Sequence, residues 1–192
     1  VVGYANDAYK TAGMSANEYM ETVTSFSASL LASMNNDTAA AAEKANVAIT
    51  DMSDNANKMG TDISLIQNAY NGFAKQNYTM LDNLKLGYGG TKEEMQRLLD
   101  DASKLSGIKY DISSYSDVVD AIHVVQTEMG ITGTTAKEAS TTIEGSVSSM
   151  SSAWDNWVAG MADSEANFSQ LTSNLVDSIV TVVGNIAPRV IE

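Results

Sequence analysis

The sequence predicts an all-α fold, and three observations carry that prediction. Apolar residues recur at three- and four-residue intervals through most of the 192-residue chain, which is the spacing of one helix face. The chain has a single proline, Pro188, so long helices can run without interruption. Repeated helix-start signals, a Ser or Thr followed three residues later by Glu or Asp, precede the apolar stretches. We expect an irregular helical bundle followed by a long helical hairpin or coiled-coil-like pair.

The first two helices are defined by a glycine and a capping box. Residues 1–12 are expected to end a helix, which Gly13 stops. Ser15 and Glu18 form a capping box that opens the second helix. Its apolar face comprises Tyr19, Val23, Phe26, Leu30 and Met34.

The third helix has predicted caps at both ends, and the fourth follows it closely. Asp37 is expected to cap the third helix, and Gly60 fits the position just past its end. The alanines and methionines of its apolar face would let another helix approach closely. The fourth helix begins near Asp62, and Gly72 inside it predicts a kink or an end.

A glycine-rich segment, Gly87–Gly90, precedes the fifth helix. Thr91 and Glu94 form a capping box at the start of that helix, which Gly107 ends. Glycines before a helix N-terminus also suit phosphate binding, but the phosphate-loop motif is incomplete and no strand precedes it. We therefore interpret the segment as a corner between helices.

The sixth helix follows the only segment with extended character, residues 108–113. Ser114 and Asp117 predict its start, and Gly130 its end. Beyond Gly133 the pattern changes, so we divide the chain into a compact bundle over 1–133 and two long amphipathic helices over 134–192.

The two C-terminal helices are predicted from their regular apolar spacing, which resembles a coiled-coil seam. The first is expected to begin at the capping box of Thr135 and Glu138. Its predicted buried positions are Ile143, Val147, Met150, Trp154, Trp157 and Met161. Those of the second are Phe168, Leu171, Leu175, Ile179, Val182 and Ile186.

Composition excludes several classes of function. The chain is 44% hydrophobic, enough for a core, and has a net charge of −13, which disfavours binding to a nucleic-acid backbone. It has no cysteine, which removes disulfides, thiolate catalysis and cysteine metal sites. The most apolar run, Leu175–Ala187, is shorter than the roughly 20 residues of a membrane span.

The chain offers little material for catalysis. His123 is its only histidine and is interpreted as a packing or solvent-edge residue. The acidic clusters could in principle act as paired carboxylates, but their placement near helix ends indicates solvated helix faces. They are Asp51, Asp54 and Asp62, and Glu93, Glu94, Asp100 and Asp101. We expect no catalytic residue, cofactor or metal site, and hence no enzyme.

Trp154 and Trp157 are the candidate functional residues. They lie three residues apart on one predicted helix. They either anchor the core of the helical pair or form an exposed aromatic patch that docks a partner, because tryptophan is enriched at binding hot spots.

Three segments, in one unbroken order along the chain, carry a resemblance to a known family. They are YMETVTSFSASLL (19–31), DMSDNANKMGTDISLIQNAYNGFAKQNYTMLDNLKLGYGGTKEEM (51–95) and AIHVVQTEMGITGTTAKEASTTIEGSV (121–147). They resemble the N-terminal helical region of tail tape measure proteins from long-tailed phages and prophages of Gram-positive bacteria. The chain starts Val1-Val2 without methionine, and we expect it to be a fragment of a longer protein.

The resemblance implies a structural virion protein. Such proteins lie in the lumen of the tail tube, set tail length during assembly in the bacterial cytoplasm, and assist DNA ejection into the host. The implied partners are tail assembly chaperones, tail tube and tail-tip proteins, and other tape measure copies. No small-molecule substrate and no specific nucleic-acid contact by this fragment are implied, and any membrane contact would involve other regions. A non-viral helical protein–protein interaction or adaptor domain is the alternative.

Overall fold

A computed structural model describes residues 1–190 of the chain. Over that range it is all-helical, with nine α-helices, one short 3₁₀ helix at Leu81–Leu84 and no strand. The all-α prediction is confirmed and the helical bundle fits, whereas the hairpin or coiled-coil detail of the last helices stays a prediction. The helices are α1 Val2–Thr11, α2 Ala16–Ser33, α3 Thr38–Met59, α4 Ile63–Phe73, α5 Lys92–Ser106, α6 Tyr115–Glu128, α7 Thr134–Thr141, α8 Ile143–Ala162 and α9 Phe168–Val190.

The chain divides into two compact units. Unit 1 contains residues 1–21 together with the chain from Thr135 onward, and unit 2 contains Thr22–Thr134. The sequence placed residues 1–21 in the N-terminal bundle, but the structure groups them with the C-terminal helices. One reason is that the amide of Ala16 donates to Asn156 Oδ1 at 2.7 Å, which ties the start of α2 to α8.

Unit 2 has a dense aromatic and aliphatic core. Its largest fully buried side chains are Phe26, Leu30, Ile49, Met52, Ile66, Tyr70, Phe73, Leu81, Leu84, Met95 and Leu98. The helix starts in this unit are those that the sequence predicted, since Asp37, Asp62, Thr91 and Ser114 each accept a hydrogen bond from an amide of the first turn. Local cap chemistry therefore fixes where these helices begin.

The segment Gly87–Gly90 is a structural corner. A Cβ on Gly90 would overlap the carbonyl of Thr79, so only glycine allows this close backbone approach. The amide of Gly89 donates to Glu94 Oε2 at 2.9 Å, and Arg97 donates to the Gly87 carbonyl at 2.9 Å. The polar groups of the corner therefore bond to the protein itself. Residues 108–113, the predicted extended segment, are irregular and form no strand.

Unit 1 departs from the two helices predicted over 134–192, because three helices lie in its described part beyond residue 133. A new helix, α8, starts after Thr142, whose hydroxyl accepts from the amide of Gly145 at 3.0 Å. At this break the first turn of α8 lies against the backbone of Glu138 in α7. Gly145 permits that close approach, since a Cβ there would overlap the Glu138 backbone. The preceding helix, α7, begins at Thr134, one residue before the predicted cap Thr135.

The buried face of α8 is also different from the predicted one. Small and polar residues occupy it, whereas the predicted core positions Val147, Trp154 and Met161 are exposed. The buried residues of α8 are Ser146, Ser149, Ser152, Ala153, Asn156 and Gly160. Small side chains occupy the buried positions because they let neighbouring segments of unit 1 approach α8 closely.

Candidate functional site

The two tryptophans form part of an aromatic row on unit 1. The Trp154 and Trp157 rings stack with centroids 5.4 Å apart, and Trp157 meets the ring of Phe168 at 5.3 Å. Trp157 Nε1 donates to Thr172 Oγ1 at 3.1 Å, which fixes its ring across α8 and α9. Trp154 keeps 52% of its surface exposed, while Trp157 is half-buried.

The half-buried Trp157 fits the first interpretation from sequence, a core anchor, whereas partner docking by the exposed Trp154 stays a prediction. Trp157 packs against a small buried cluster of Tyr9, Ala153 and Leu175 and so anchors unit 1. Trp154 projects its stacked ring to the surface, as a docking residue would. The structure thus brings both predicted site residues together at one exposed aromatic row.

This row continues into a larger apolar surface, which we call the outer face. Its residues recur at helical spacing on α8 and α9, and each is 40–75% exposed. They are Val147, Trp154, Val158, Met161, Phe168, Val176, Ile179, Val180, Val183 and Val190. Trp157 joins the two helices within this surface, because it contacts Trp154 on α8 and Phe168 on α9.

The opposite side of α8 is covered by the N-terminal residues of the chain. Ser152 Oγ donates to the carbonyl of Gly13 at 3.3 Å, and Asn156 accepts from the amide of Ala16. Leu175 of α9 is buried against Tyr9 of α1. The α8–α9 pair is therefore packed on one side by residues 1–21 and exposes large apolar side chains on the other.

The ten residues of the outer face are all uncharged, although the exposed Asp155 and Asp177 directly follow two of them in the chain. The charged residues of the range 143–190 lie at other positions. They are Glu144, Asp155, Asp163, Glu165, Asp177 and Arg189. An uncharged apolar surface of this kind is what a protein partner buries most readily, because burial then requires no desolvation of a charge.

Sequence reasoning missed a second polar arrangement, which lies inside unit 2. His123 Nδ1 on α6 lies 2.9 Å from Asp51 Oδ1 and 3.0 Å from Asp51 Oδ2 on α3. Asp51 is 1% exposed and His123 is 38% exposed. The expected solvated acidic cluster is therefore wrong for Asp51, and also for Asp54, which is 0% exposed and accepts from the amide of Gly133 at 2.6 Å.

Burial dominates the electrostatics of this pair. It raises the pKa of Asp51 to about 6, because a buried carboxylate loses its hydration, and the hydrogen bond with His123 only partly opposes this. The same hydrogen bond raises the pKa of His123. One signal could have found the burial of Asp51, which lies three residues after Ala48 on the apolar side of α3, but it does not identify His123 as the partner.

Three of the remaining acidic residues of the predicted clusters serve local structure. Glu94 pairs with Arg97, Asp101 with Lys104, and Asp62 caps α4. Within residues 1–190, no group of three His, Cys, Asp or Glu side chains is placed to hold a metal ion. The arrangement offers a proton-binding pair and an exposed apolar surface.

No family model, curated protein or solved structure matches the chain. Among the described helices, none combines the length and the hydropathy that crossing a membrane would need.

Proposed function

We propose that the chain is a helical part of a phage tail tape measure protein, with a structural and not an enzymatic role. The observation that carries the proposal is the resemblance of three segments in unbroken order, over 19–31, 51–95 and 121–147. The all-α fold supports it, because a protein that measures length by its own extent needs long helices, each residue of which adds about 1.5 Å.

The two units suit different parts of this role. Unit 2, with its dense core, is a folded region and not a measuring rod. Unit 1 contains α9, whose 23 residues span about 34 Å, and presents the outer face for assembly. The proposed partners are tail assembly chaperones, tail tube and tail-tip proteins and other tape measure copies. The proposed location is the tail lumen, reached from the bacterial cytoplasm, with assistance to DNA ejection as the second role.

Purified virions of the phage or induced prophage that encodes the chain provide the test. Peptides of this chain are expected in tail fractions by mass spectrometry. An in-frame deletion of about 60 residues from a helical region of the full-length protein is expected to shorten tails by about 90 Å in electron micrographs. Tails of unchanged length, or virions without these peptides, would contradict the proposal.

A second candidate is a helical protein–protein interaction or adaptor domain outside any virus. The exposed Trp154 and the uncharged outer face favour it, since both are typical of docking surfaces. A gene neighbourhood without tail components, together with absence of the protein from virions, would support this candidate over the tape measure.

A further inference from the structure

The outer face is an unusual surface for an acidic chain. Ten apolar side chains, each 40–75% exposed, extend along two adjacent helices with no charged residue among them. Val180, Val183 and Val190 are among the most exposed, at 63%, 59% and 75%. Exposed apolar residues scattered singly need no explanation, but a group of this size, joined across the two helices by the ring contacts of Trp157 with Trp154 and Phe168, is typical of an interaction site.

The size of the outer face fits a protein interface. A side chain of this type carries about 100 Å² of apolar surface, so ten of them at half exposure offer about 500 Å². Two copies of such a face bury about 1,000 Å², which is the lower limit for a specific protein–protein interface. The half-buried Trp157 borders the same surface and adds to it, because its ring contacts Trp154 and Phe168.

The packing of unit 1 indicates what covers this surface. Residues 1–21 cover one side of the α8–α9 pair, whereas the outer face has no cover within the described part of the chain. Two helices with an open apolar side are half of a four-helix bundle, and a second identical pair completes it by two-fold symmetry. Such an interface is self-complementary, because the same surface is used on both copies.

Charge argues against an anionic occupant and is compatible with a second copy. The chain has a net charge of −13, yet the ten residues of the outer face are uncharged, so two copies can bury these side chains without burying a charge. An anionic lipid surface or a nucleic acid would need cations around the face, and Arg189 is the single basic residue of the range 143–190.

We propose that the outer face of α8 and α9 binds the outer face of a second copy of this chain, forming a two-fold dimer with a four-helix core. The dimer places Trp154 of each copy in a dry interface. It follows from unit 1 alone, so it does not depend on the tape measure proposal. Because the buried area is small, we expect a dimer that dissociates on dilution in the micromolar range.

The two tryptophans give a direct readout, because they are the only ones in the chain and both lie at this surface. Sedimentation velocity of the full chain from about 1 µM to about 500 µM is expected to show a monomer–dimer equilibrium. Over the same dilution series the tryptophan emission is expected to shift to the red as the dimer separates. A chain that stays monomeric with constant emission would overturn the proposal.

Variants then locate the interface. Val180→Glu and Val183→Glu put a charge on the outer face while improving helix propensity, and each is expected to weaken dimerisation at least tenfold. Gln170→Glu adds the same charge elsewhere on exposed α9 and is the matched control, expected to dimerise like the parent. Circular dichroism checks that all three keep their helicity.

Two further results would count against the dimer. Retained dimerisation in both valine variants would place the contact elsewhere on the chain. A wild-type monomer whose tryptophan emission shifts to the blue only on adding a different protein would assign the outer face to a foreign partner. Either result leaves the virion test of the tape measure proposal unaffected, so failures of the two proposals can be told apart.

Discussion

The buried Asp51–His123 pair makes the stability of unit 2 depend on pH in an uncommon direction. A carboxyl whose folded pKa is raised contributes stability that is fully present below its unfolded pKa and is lost as pH rises through the folded pKa. For Asp51 this window runs from the ordinary value of 3.8 to about 6. The raised pKa of His123 acts in the same direction, since its stabilising proton is lost as pH rises through that pKa.

The magnitude follows from the shift of the Asp51 pKa. A shift of about two units corresponds to about 3 kcal/mol in total. Of this, about 1 kcal/mol falls between pH 5 and pH 7.5, where the unfolded carboxyl is already ionised and the folded one is losing its proton. Among the neighbouring charges, Asp54 and Asp120 raise the pKa of Asp51, and Asp120 also raises that of His123, whereas Lys44 opposes the trend by lowering the pKa of His123.

Above pH 5, the loss of stability with rising pH that the buried pair produces can be told apart from the loss of stability with falling pH that other carboxyls produce. The carboxyls of Asp62, Glu94, Asp101 and Asp111 have lowered pKa values, held down chiefly by hydrogen bonds from neighbouring side chains and amides. Their stabilisation is lost only as pH falls below their ordinary values. Between pH 5 and pH 7.5 they stay ionised, so they do not mask the trend that the buried pair produces.

This prediction is tested by urea unfolding, monitored by far-ultraviolet circular dichroism. Hydrogen exchange on peptides of unit 2 assigns the change to that unit. The free energy of unfolding is expected to fall by about 1 kcal/mol from pH 5 to pH 7.5. Asp51→Asn removes the titrating group and is expected to flatten the trend, whereas the exposed control Asp100→Asn keeps it. Stability that rises with pH over this window, or an Asp51→Asn slope equal to that of the parent, would refute the reasoning.

Three further substitutions test the packing. Gly90→Ala forces a Cβ into the Thr79 carbonyl and is expected to lower the stability of unit 2 by about 1–3 kcal/mol in urea unfolding. An unchanged unfolding midpoint would mean that the backbone of the corner shifts to make room for the methyl group. Asn156→Ala leaves the amide of Ala16 without its acceptor and is expected to cost about 1–3 kcal/mol, with faster hydrogen exchange at the start of α2 as the specific sign. Thr142→Ala removes the cap of α8 and is expected to cost about 1 kcal/mol, whereas Thr142→Ser is expected to be neutral; equal losses would argue against capping.

The sequence was sufficient where structure is decided locally. Helix starts at Asp37, Thr91 and Ser114 were predicted from side chains that bond to amides two or three residues away. Left-handed ends at Gly60 and Gly107 were equally local, since their positive φ favours glycine. No knowledge of the rest of the chain is needed for such features.

Sequence reasoning failed where a choice depended on distant residues. Asp51 and His123 lie on different helices, and only the packing of α3 against α6 brings them together. The grouping of residues 1–21 with the C-terminal helices rests on bonds such as that between Ala16 and Asn156. No helical period in the sequence contains that information.

The predicted burial of α8 failed for a reason that bears on function. The helix has two candidate faces, one of large apolar residues such as Trp154 and one of small residues such as Ser149 and Gly160. Hydropathy favours burying the first, yet the structure buries the second, because small residues allow close approach, as where Gly160 meets Leu171. Large apolar side chains left outside lose the burial energy that they could contribute, about 25 cal/mol per Å². A second surface that covers these side chains would recover that energy. The large apolar residues of α8 that were wrongly predicted to be buried are therefore the ones at which we expect this chain to associate.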